Sequence, residues 1–145
     1  MEDKQTWAER AEAAVEHYLH LDDGGFDEHM RAWFDGCDAG AQSVRFGFTT
    51  QHWQINERGG IHGGAIAGMF DTAFGIVANF LAGPGEATTT DMNLCFLRPL
   101  ELGETGEMTV YVVKAGRSLI RLRAELACKE TGKLVATGGG SWMPL

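Results

Sequence analysis

The segment from His62 to Ala82 constrains this chain most, because it is long, apolar and almost free of charge. It reads HGGAIAGMFDTAFGIVANFLA, in which Asp71 is the only carboxylate and no Lys or Arg occurs. As a helix this segment would be about 30 Å long. A helix that is apolar nearly all round is buried on most sides, so we predict a long central helix that the rest of the chain encloses. Asp71, Asn79 and several small residues argue against a membrane span.

One strand-like segment precedes this helix and four follow it. In the fourth of the five, Leu122 and Ala124 alternate with Arg121 and Arg123, a period of two that is typical of a half-buried strand. Three consecutive glycines at 138–140 weaken a strand, so we expect another backbone, that of the long helix, to approach them closely. The pattern predicts an α+β fold, with a curled, mostly antiparallel sheet around one central helix. The strand-like segments are 43–54, 87–97, 105–115, 118–129 and 134–143.

Residues 1–40 predict a helical extension of the same domain, which we take to be a single one over residues 1–145. Thr6 and Glu9 have the spacing of a capping box at the start of a helix, and the DDGG sequence that follows this helix ends it. A second, short helix comes next, with four large apolar side chains on one side. These side chains are Phe26, Met30, Trp33 and Phe34. Residues 43–143 form the core of the domain.

Charge and cysteine content bear on partners and compartment. The net charge of −8 argues against a nucleic acid partner. Residues 98–145 alone hold 7 basic and 5 acidic side chains, which favours a phosphorylated ligand in that section. The three cysteines are an odd number without metal-type spacing, and the charged N-terminal segment is unlike a secretory signal. We therefore expect a cytoplasmic protein without a metal site or a cofactor.

Two features of the central helix point to acyl chemistry. A carboxylate among apolar neighbours, such as Asp71, tends to have a raised pKa, which suits a general base. His62, Gly63 and Gly64 begin the helix, where free backbone N–H groups can meet an oxygen. A poised carboxylate and exposed amide donors are the minimum requirement for hydrolysing an acyl compound. The alternative from the residues alone is a structural Asp71, satisfied by Thr72 or by backbone groups.

These residues belong to a longer pattern along the chain. Asn56 is followed by HGG at 62–64, by DTA at 71–73 and by TTTDMNLCFLRPL at 88–100. Over residues 43–143 the chain resembles the hotdog-fold acyl-CoA thioesterases, in particular the subgroup typified by phenylacetyl-CoA thioesterase and the mammalian thioesterase-superfamily enzymes. The resemblance implies a hotdog fold and the hydrolysis of an acyl-CoA or acyl-carrier thioester.

The resemblance also implies a role for each matched residue. Asp71 would be the nucleophile or the general base, and the Gly63 amide would polarise the thioester carbonyl. Asn56 would position the water or the carbonyl, and His62 would order the loop before the helix. Thr89 would assist the water from the next strand, where the commoner residue is Ser.

The separation of Gly63 and Asp71 sets a requirement on assembly. Eight residues on one helix place these two positions about 12 Å apart along the axis, too far for both to touch one thioester carbon. A second copy of the helix, packed antiparallel across a two-fold axis, would bring Asp71 of one chain beside Gly63 of the other. We therefore expect a homodimer with two shared active sites, assembled further into a dimer of dimers.

Substrate contacts follow from position and charge. We expect Gly64, at the start of the helix, to contact the substrate. Phe70 and Phe74 would line the acyl pocket, and Arg98 and Arg117 would bind the phosphates of coenzyme A. Aromatic, medium-chain and long-chain acyl groups all stay open, because side-chain type does not choose among them. Two other functions also stay open. One is an acyl-CoA-binding module that does not hydrolyse, which the catalytic-type carboxylate disfavours, and the other is a hotdog hydratase or dehydratase, which the spacing of HGG and Asp disfavours.

Overall fold

The computed structural model describes residues 5–145, which fold into three helices and one six-stranded sheet. All strand pairs are antiparallel, in the order β1-β2-β4-β5-β6-β3. A 3₁₀ turn at His52–Gln54 lies between β2 and the long helix. The helices are α1 (Trp7–Leu19), α2 (Phe26–His29) and α3 (Gly63–Ala82), and the strands are β1 (Ala32–Asp38), β2 (Ser43–Thr49), β3 (Ala87–Phe96), β4 (Thr105–Ala115), β5 (Ile120–Cys128) and β6 (Leu134–Pro144).

The long helix α3 lies against the concave side of the sheet, as its composition predicts. Its main contacts with the sheet are made to the strands β2 to β6. By length and mean hydropathy α3 is apolar enough to cross a membrane, but more than half of that stretch is buried inside the fold, which accounts for its apolar composition. Phe70 and Phe74 are fully buried on this helix, and the ring centroid of Phe74 lies 4.9 Å from that of Trp142 on β6. The predicted α+β fold with a curled sheet around one helix is confirmed.

The N-terminal segment differs from the prediction in its second half. The capping box at the start of α1 is confirmed, since Thr6 Oγ1 accepts from the Glu9 N–H and Glu9 Oε2 accepts from the Thr6 N–H. The second helix ends at His29, and Arg31 has a positive φ of 51° that stops it. From Ala32 the chain pairs with β2 as a sixth strand. The predicted helical placement of Trp33 and Phe34 is therefore wrong, because pairing with the sheet overrides the helix-like spacing of the aromatics.

The glycines of β6 serve a close approach, but the approaching backbone is not that of α3. A Cβ on Gly140 would lie 2.5 Å from the carbonyl oxygen of Asp91 on the neighbouring strand β3, and a Cβ on Gly138 would lie 3.1 Å from the carbonyl oxygen of Asn93. From α3, only the side chain of Phe70 comes this near, also at 3.1 Å from the Gly138 position. The expectation that the helix backbone requires these glycines is wrong, because the backbone of the paired strand β3 lies too close to these positions for a side chain.

Candidate active site

The first turn of α3 leaves a single backbone donor free. His62 caps the helix, and its Nδ1 accepts from the Gly64 N–H at 2.8 Å. The Ala65 N–H donates to the His62 carbonyl at 2.9 Å, and the His62 N–H donates to the Gln54 carbonyl at 2.7 Å. Among the backbone N–H groups of residues 62–65, only that of Gly63 has no hydrogen-bond partner within residues 5–145. Because Nδ1 acts as an acceptor, the neutral ring carries its proton on Nε2.

Gly63, which carries this free amide, lines a groove of about 590 Å³ beside the start of α3, and we call it the Gly63 groove. Two arginines, Arg58 and Arg98, and one acidic residue, Glu101, are among its lining residues. The amide at a helix N-terminus favours an anionic oxygen, and the two arginines favour an anionic or phosphorylated ligand alongside it. The lining residues are Asn56, Arg58, Gly60, Ile61, Gly63, Ile66, Phe96, Leu97, Arg98, Pro99 and Glu101.

Asn56 shapes the loop that forms one wall of this groove. Its Oδ1 accepts from the Arg58 N–H at 2.8 Å, and its own N–H donates to the Gly60 carbonyl at 2.7 Å. Gly59 sits in this turn at a φ of +88°, which favours glycine. Since Oδ1 is engaged by the turn, Nδ2 is the group that Asn56 can offer to a ligand. The turn therefore places Asn56 in the lining of the same groove as Gly63.

Asp71 lies in a different groove of the same chain, about 260 Å³ in volume and named the Asp71 groove. This groove is bordered by the loop between α1 and α2 and by α2 itself, and its lining residues are Tyr18, Leu19, Leu21, Asp22, Asp23, Gly25, Phe26, Asp27, Glu28 and Asp71. The Asp71 side chain is exposed at the surface of the single chain. The partial desolvation of the carboxylate by its surroundings, and next the negative charge of Asp27, raise the pKa of Asp71 above its ordinary value.

The structure thus brings together three of the five predicted catalytic residues. Asn56 and Gly63 line one groove, and His62 orders the same loop and helix start. Asp71 borders the other groove. Thr89 is exposed on the edge strand β3, opposite Trp142 of β6, and lines neither groove.

The predicted substrate-binding residues are also dispersed. Arg98 lines the Gly63 groove and donates to the Leu134 carbonyl at 2.9 Å. Gly64 faces a smaller apolar groove on the other side of the helix start, beside Trp53. Arg117 is exposed between β4 and β5, away from the Gly63 and Asp71 grooves.

Phe70 and Phe74 are fully buried in the core. In the single chain they have a packing role, which differs from the predicted contact with the acyl group. Their side of α3 faces the sheet, so neither ring lines the Gly63 or the Asp71 groove.

Sequence reasoning missed several residues of these two grooves. Arg58 directly follows the loop residues Asn56 and Glu57, so its place in the Gly63 groove follows from the Asn56 turn. Phe96 ends β3 and lies 3.8 Å from where a Gly63 Cβ would stand, a contact that no local pattern indicates. Asp27 reaches α3 from 45 residues away through the Thr72 hydroxyl.

One group of potential metal ligands occurs among residues 5–145, formed by Glu104, Cys128 and Glu130, whose ligand atoms lie within 4.8 Å of one another. The Cys128 thiol donates to Glu104 at 2.8 Å, and both oxygens of Glu130 accept from the Thr105 N–H. Through these hydrogen bonds the cluster links the start of β4 to the end of β5, which gives it a structural role. None of its residues lines the Gly63 or the Asp71 groove, although Glu104 Oε1 accepts from the N–H of Glu101, which lines the Gly63 groove.

Comparison with known proteins identifies the family. The model of the family described as "Thioesterase superfamily" matches residues 58–135. The chain belongs to the thioesterase superfamily. Acyl-coenzyme A thioesterase 13 of Homo sapiens is 34% identical over 85 residues, which make up 57% of this chain and 59% of that protein. The match therefore spans about three fifths of the length of this curated relative.

Solved structures establish the fold. The PaaI protein from the phenylacetic acid degradation operon of E. coli superposes with a TM-score of 0.81 at 21% identity, over 97% of this chain and 96% of that one. The protein smu.793 of Streptococcus mutans UA159, described as bound to acetyl CoA, superposes with a TM-score of 0.73 at 18% identity, over 87% of this chain and 96% of that one. The expected hotdog fold is confirmed by these likenesses together with the curled sheet and the long helix.

Proposed function

We propose that this chain hydrolyses an acyl-CoA thioester, or an acyl-carrier thioester, to the free acid and the thiol. The observation that carries the proposal is the unpartnered Gly63 N–H at the start of a 20-residue helix, in a groove that also holds Arg58 and Arg98. Membership of the thioesterase superfamily supports it. The likeness to acyl-coenzyme A thioesterase 13 and to a structure described with acetyl CoA supports the choice of substrate class.

In the proposed reaction the thioester carbonyl oxygen accepts from the Gly63 N–H. The amide and the helix dipole stabilise the negative charge that develops on this oxygen, and Asn56 Nδ2 orients the carbonyl or the water. Asp71 removes a proton from water as the water oxygen bonds to the carbonyl carbon, and Thr89 assists that water. The C–S bond then breaks, and the thiolate leaves and is protonated. Direct attack by Asp71, giving a mixed anhydride that water hydrolyses, is the second route.

The proposal includes a homodimer with two composite sites, because Asp71 and Gly63 border different grooves of one chain. Antiparallel packing of two α3 helices across a two-fold axis would place Asp71 of one subunit at the Gly63 groove of the other. Arg58 and Arg98, with Arg117 as a more distant candidate, would meet the phosphates of coenzyme A. Two such dimers would form a dimer of dimers.

The test is thiol release from a panel of aromatic and aliphatic acyl-CoAs, with Asp71→Asn beside the wild type. Loss of the general base typically lowers turnover by about 10² or more, so we expect a loss of at least that size. Asp35→Asn, an equal change of charge on β1, is the matched control and retains wild-type turnover.

Two outcomes would contradict the proposal. Near-normal turnover by Asp71→Asn would remove Asp71 from the mechanism. Tight acyl-CoA binding without hydrolysis by the wild type would favour a non-catalytic binding module instead. Thermal unfolding of each variant separates loss of activity from loss of the fold.

A further inference from the structure

The short helix α2 is attached to α3 directly beside Asp71. Thr72, which follows Asp71 in the chain and is buried, donates through Oγ1 to Asp27 Oδ1 at 2.6 Å. The ring of Phe26 lies over Gly68, where an added Cβ would meet Phe26 Cζ at 2.6 Å. Gly68 therefore lets α2 approach closely, and the Thr72 hydroxyl fixes one carboxylate of α2 next to the proposed base.

Asp27 differs from the other acidic groups that border the Asp71 groove. Asp23 accepts from the Gly25 N–H at 2.8 Å, and Glu28 accepts from the Gly24 N–H, so both order the loop. Asp27 is the one among them that bonds to α3. The titratable groups that face Asp71 are Tyr18 from α1, Asp22 and Asp23 from the loop, and Asp27 and Glu28 from α2.

We propose that Asp27 is a positioning residue for Asp71: it holds a second negative charge beside this carboxylate and so sets the pH below which Asp71 is protonated and hydrolysis stops. This inference rests on the proposed function, in which Asp71 acts in its ionised form. Two neighbouring carboxylates resist simultaneous ionisation. A carboxylate that gives up its proton only at higher pH is also the stronger base once it is ionised.

The sign of the effect follows from the charge. Asp27 is the one charged neighbour that contributes to the raised pKa of Asp71, after desolvation. Asp27→Asn removes that charge but keeps an amide oxygen able to accept from Thr72. The pKa of Asp71 then falls, and the acidic limb of the pH profile of kcat/KM moves to lower pH.

The experiment measures kcat/KM for acyl-CoA hydrolysis between about pH 4 and pH 8. We expect the ratio of Asp27→Asn to wild-type kcat/KM to rise by about threefold or more from neutral pH to the acidic limb. Asp22→Asn makes the same change of charge in the same groove without a bond to α3, and we expect a smaller shift of the limb. Thr72→Val removes the donor that holds Asp27 and shifts the acidic limb in the same direction as Asp27→Asn. Thr72→Ser keeps this donor and retains the wild-type pH profile.

A direct titration separates this inference from the proposed function. The Asp71 carboxyl carbon is followed by ¹³C NMR in the wild type and in Asp27→Asn. If the wild type does not hydrolyse acyl-CoA but the Asp71 titration still moves to lower pH in the variant, the electrostatic coupling holds and the proposed function fails. If hydrolysis is observed and neither the limb nor the titration moves in Asp27→Asn, the role of Asp27 is overturned.

Discussion

Among single residues, Gly63 offers an unusually clean way to remove one hydrogen-bond donor. It is the first residue of α3, a position that proline accepts, because the amide there is not needed by the helix. His62 before it has φ −61° and ψ 139°, a conformation that suits a residue preceding proline. We expect Gly63→Pro to lower kcat by about 10²–10³, the typical cost of losing an oxyanion donor, measured by thiol release.

Gly63→Ala is the matched control for that experiment. A Cβ at this position meets only the Phe96 ring, at an ordinary contact distance of 3.8 Å, and the N–H is retained. We expect this variant to keep most of the wild-type activity. An alanine variant as inactive as the proline variant would show that the space at Gly63, and not its amide, is what the reaction needs.

Of the individual site residues, the sequence identifies those whose hydrogen bonds are made to residues nearby in the chain. The Asn56 turn and the His62 cap are local, with hydrogen bonds that span two to four residues, so spacing alone indicates them. Asp27 was missed because its contact with Thr72 depends on how α2 packs on α3. The carboxylate of Asp71 was recognised by its apolar surroundings in sequence, although its side chain is exposed in the single chain.

Among the elements, strand β6 gives a test of its close pairing with β3. A methyl group on Gly140 would lie 2.5 Å from the Asp91 carbonyl oxygen, whereas one on Gly139 would lie 3.3 Å from the Leu122 carbonyl oxygen. Both substitutions change backbone freedom alike, so their difference reports on the clash at Gly140, where the added methyl group would also lie 2.8 Å from the Trp142 ring. We expect Gly140→Ala to lower the free energy of unfolding by about 2 kcal/mol more than Gly139→Ala, measured by urea denaturation. Equal effects would mean that β3 and the Trp142 ring can both move away at little cost.

The helices and strands were predicted well where one apolar period runs through the whole element, and less well where the apolar spacing of one element continues into the next. The predicted limits of α3 and β4 agree with the structure within one residue. Strand β1 was missed because Trp33 and Phe34 continue the apolar spacing of the helix before them. Residues 32–38 form a strand because the edge of β2 supplies backbone hydrogen-bond partners, which a local sequence pattern does not reveal.

At the scale of the whole molecule, the shared sites can be tested by subunit complementation. Gly63→Pro chains keep Asp71, and Asp71→Asn chains keep Gly63, so a mixed dimer contains one intact composite site. Random mixing gives about half mixed dimers with one working site of two, and we expect recovery of about a quarter of the wild-type activity. The readout is thiol release after the two variants are refolded together. Activity that stays at the level of the separate variants would place each site within one chain.

The cap on α3 has a consequence for inhibitors of this protein. The His62 ring and carbonyl occupy the neighbouring amides of the first turn, so the helix presents one donor and not a pair. A compound that places a single negatively charged oxygen over Gly63 would occupy the one backbone donor that the start of the helix offers. A second charged oxygen on such a compound would have to be recognised by side chains, and potency would then depend on Asn56 and the arginines of the groove rather than on the backbone.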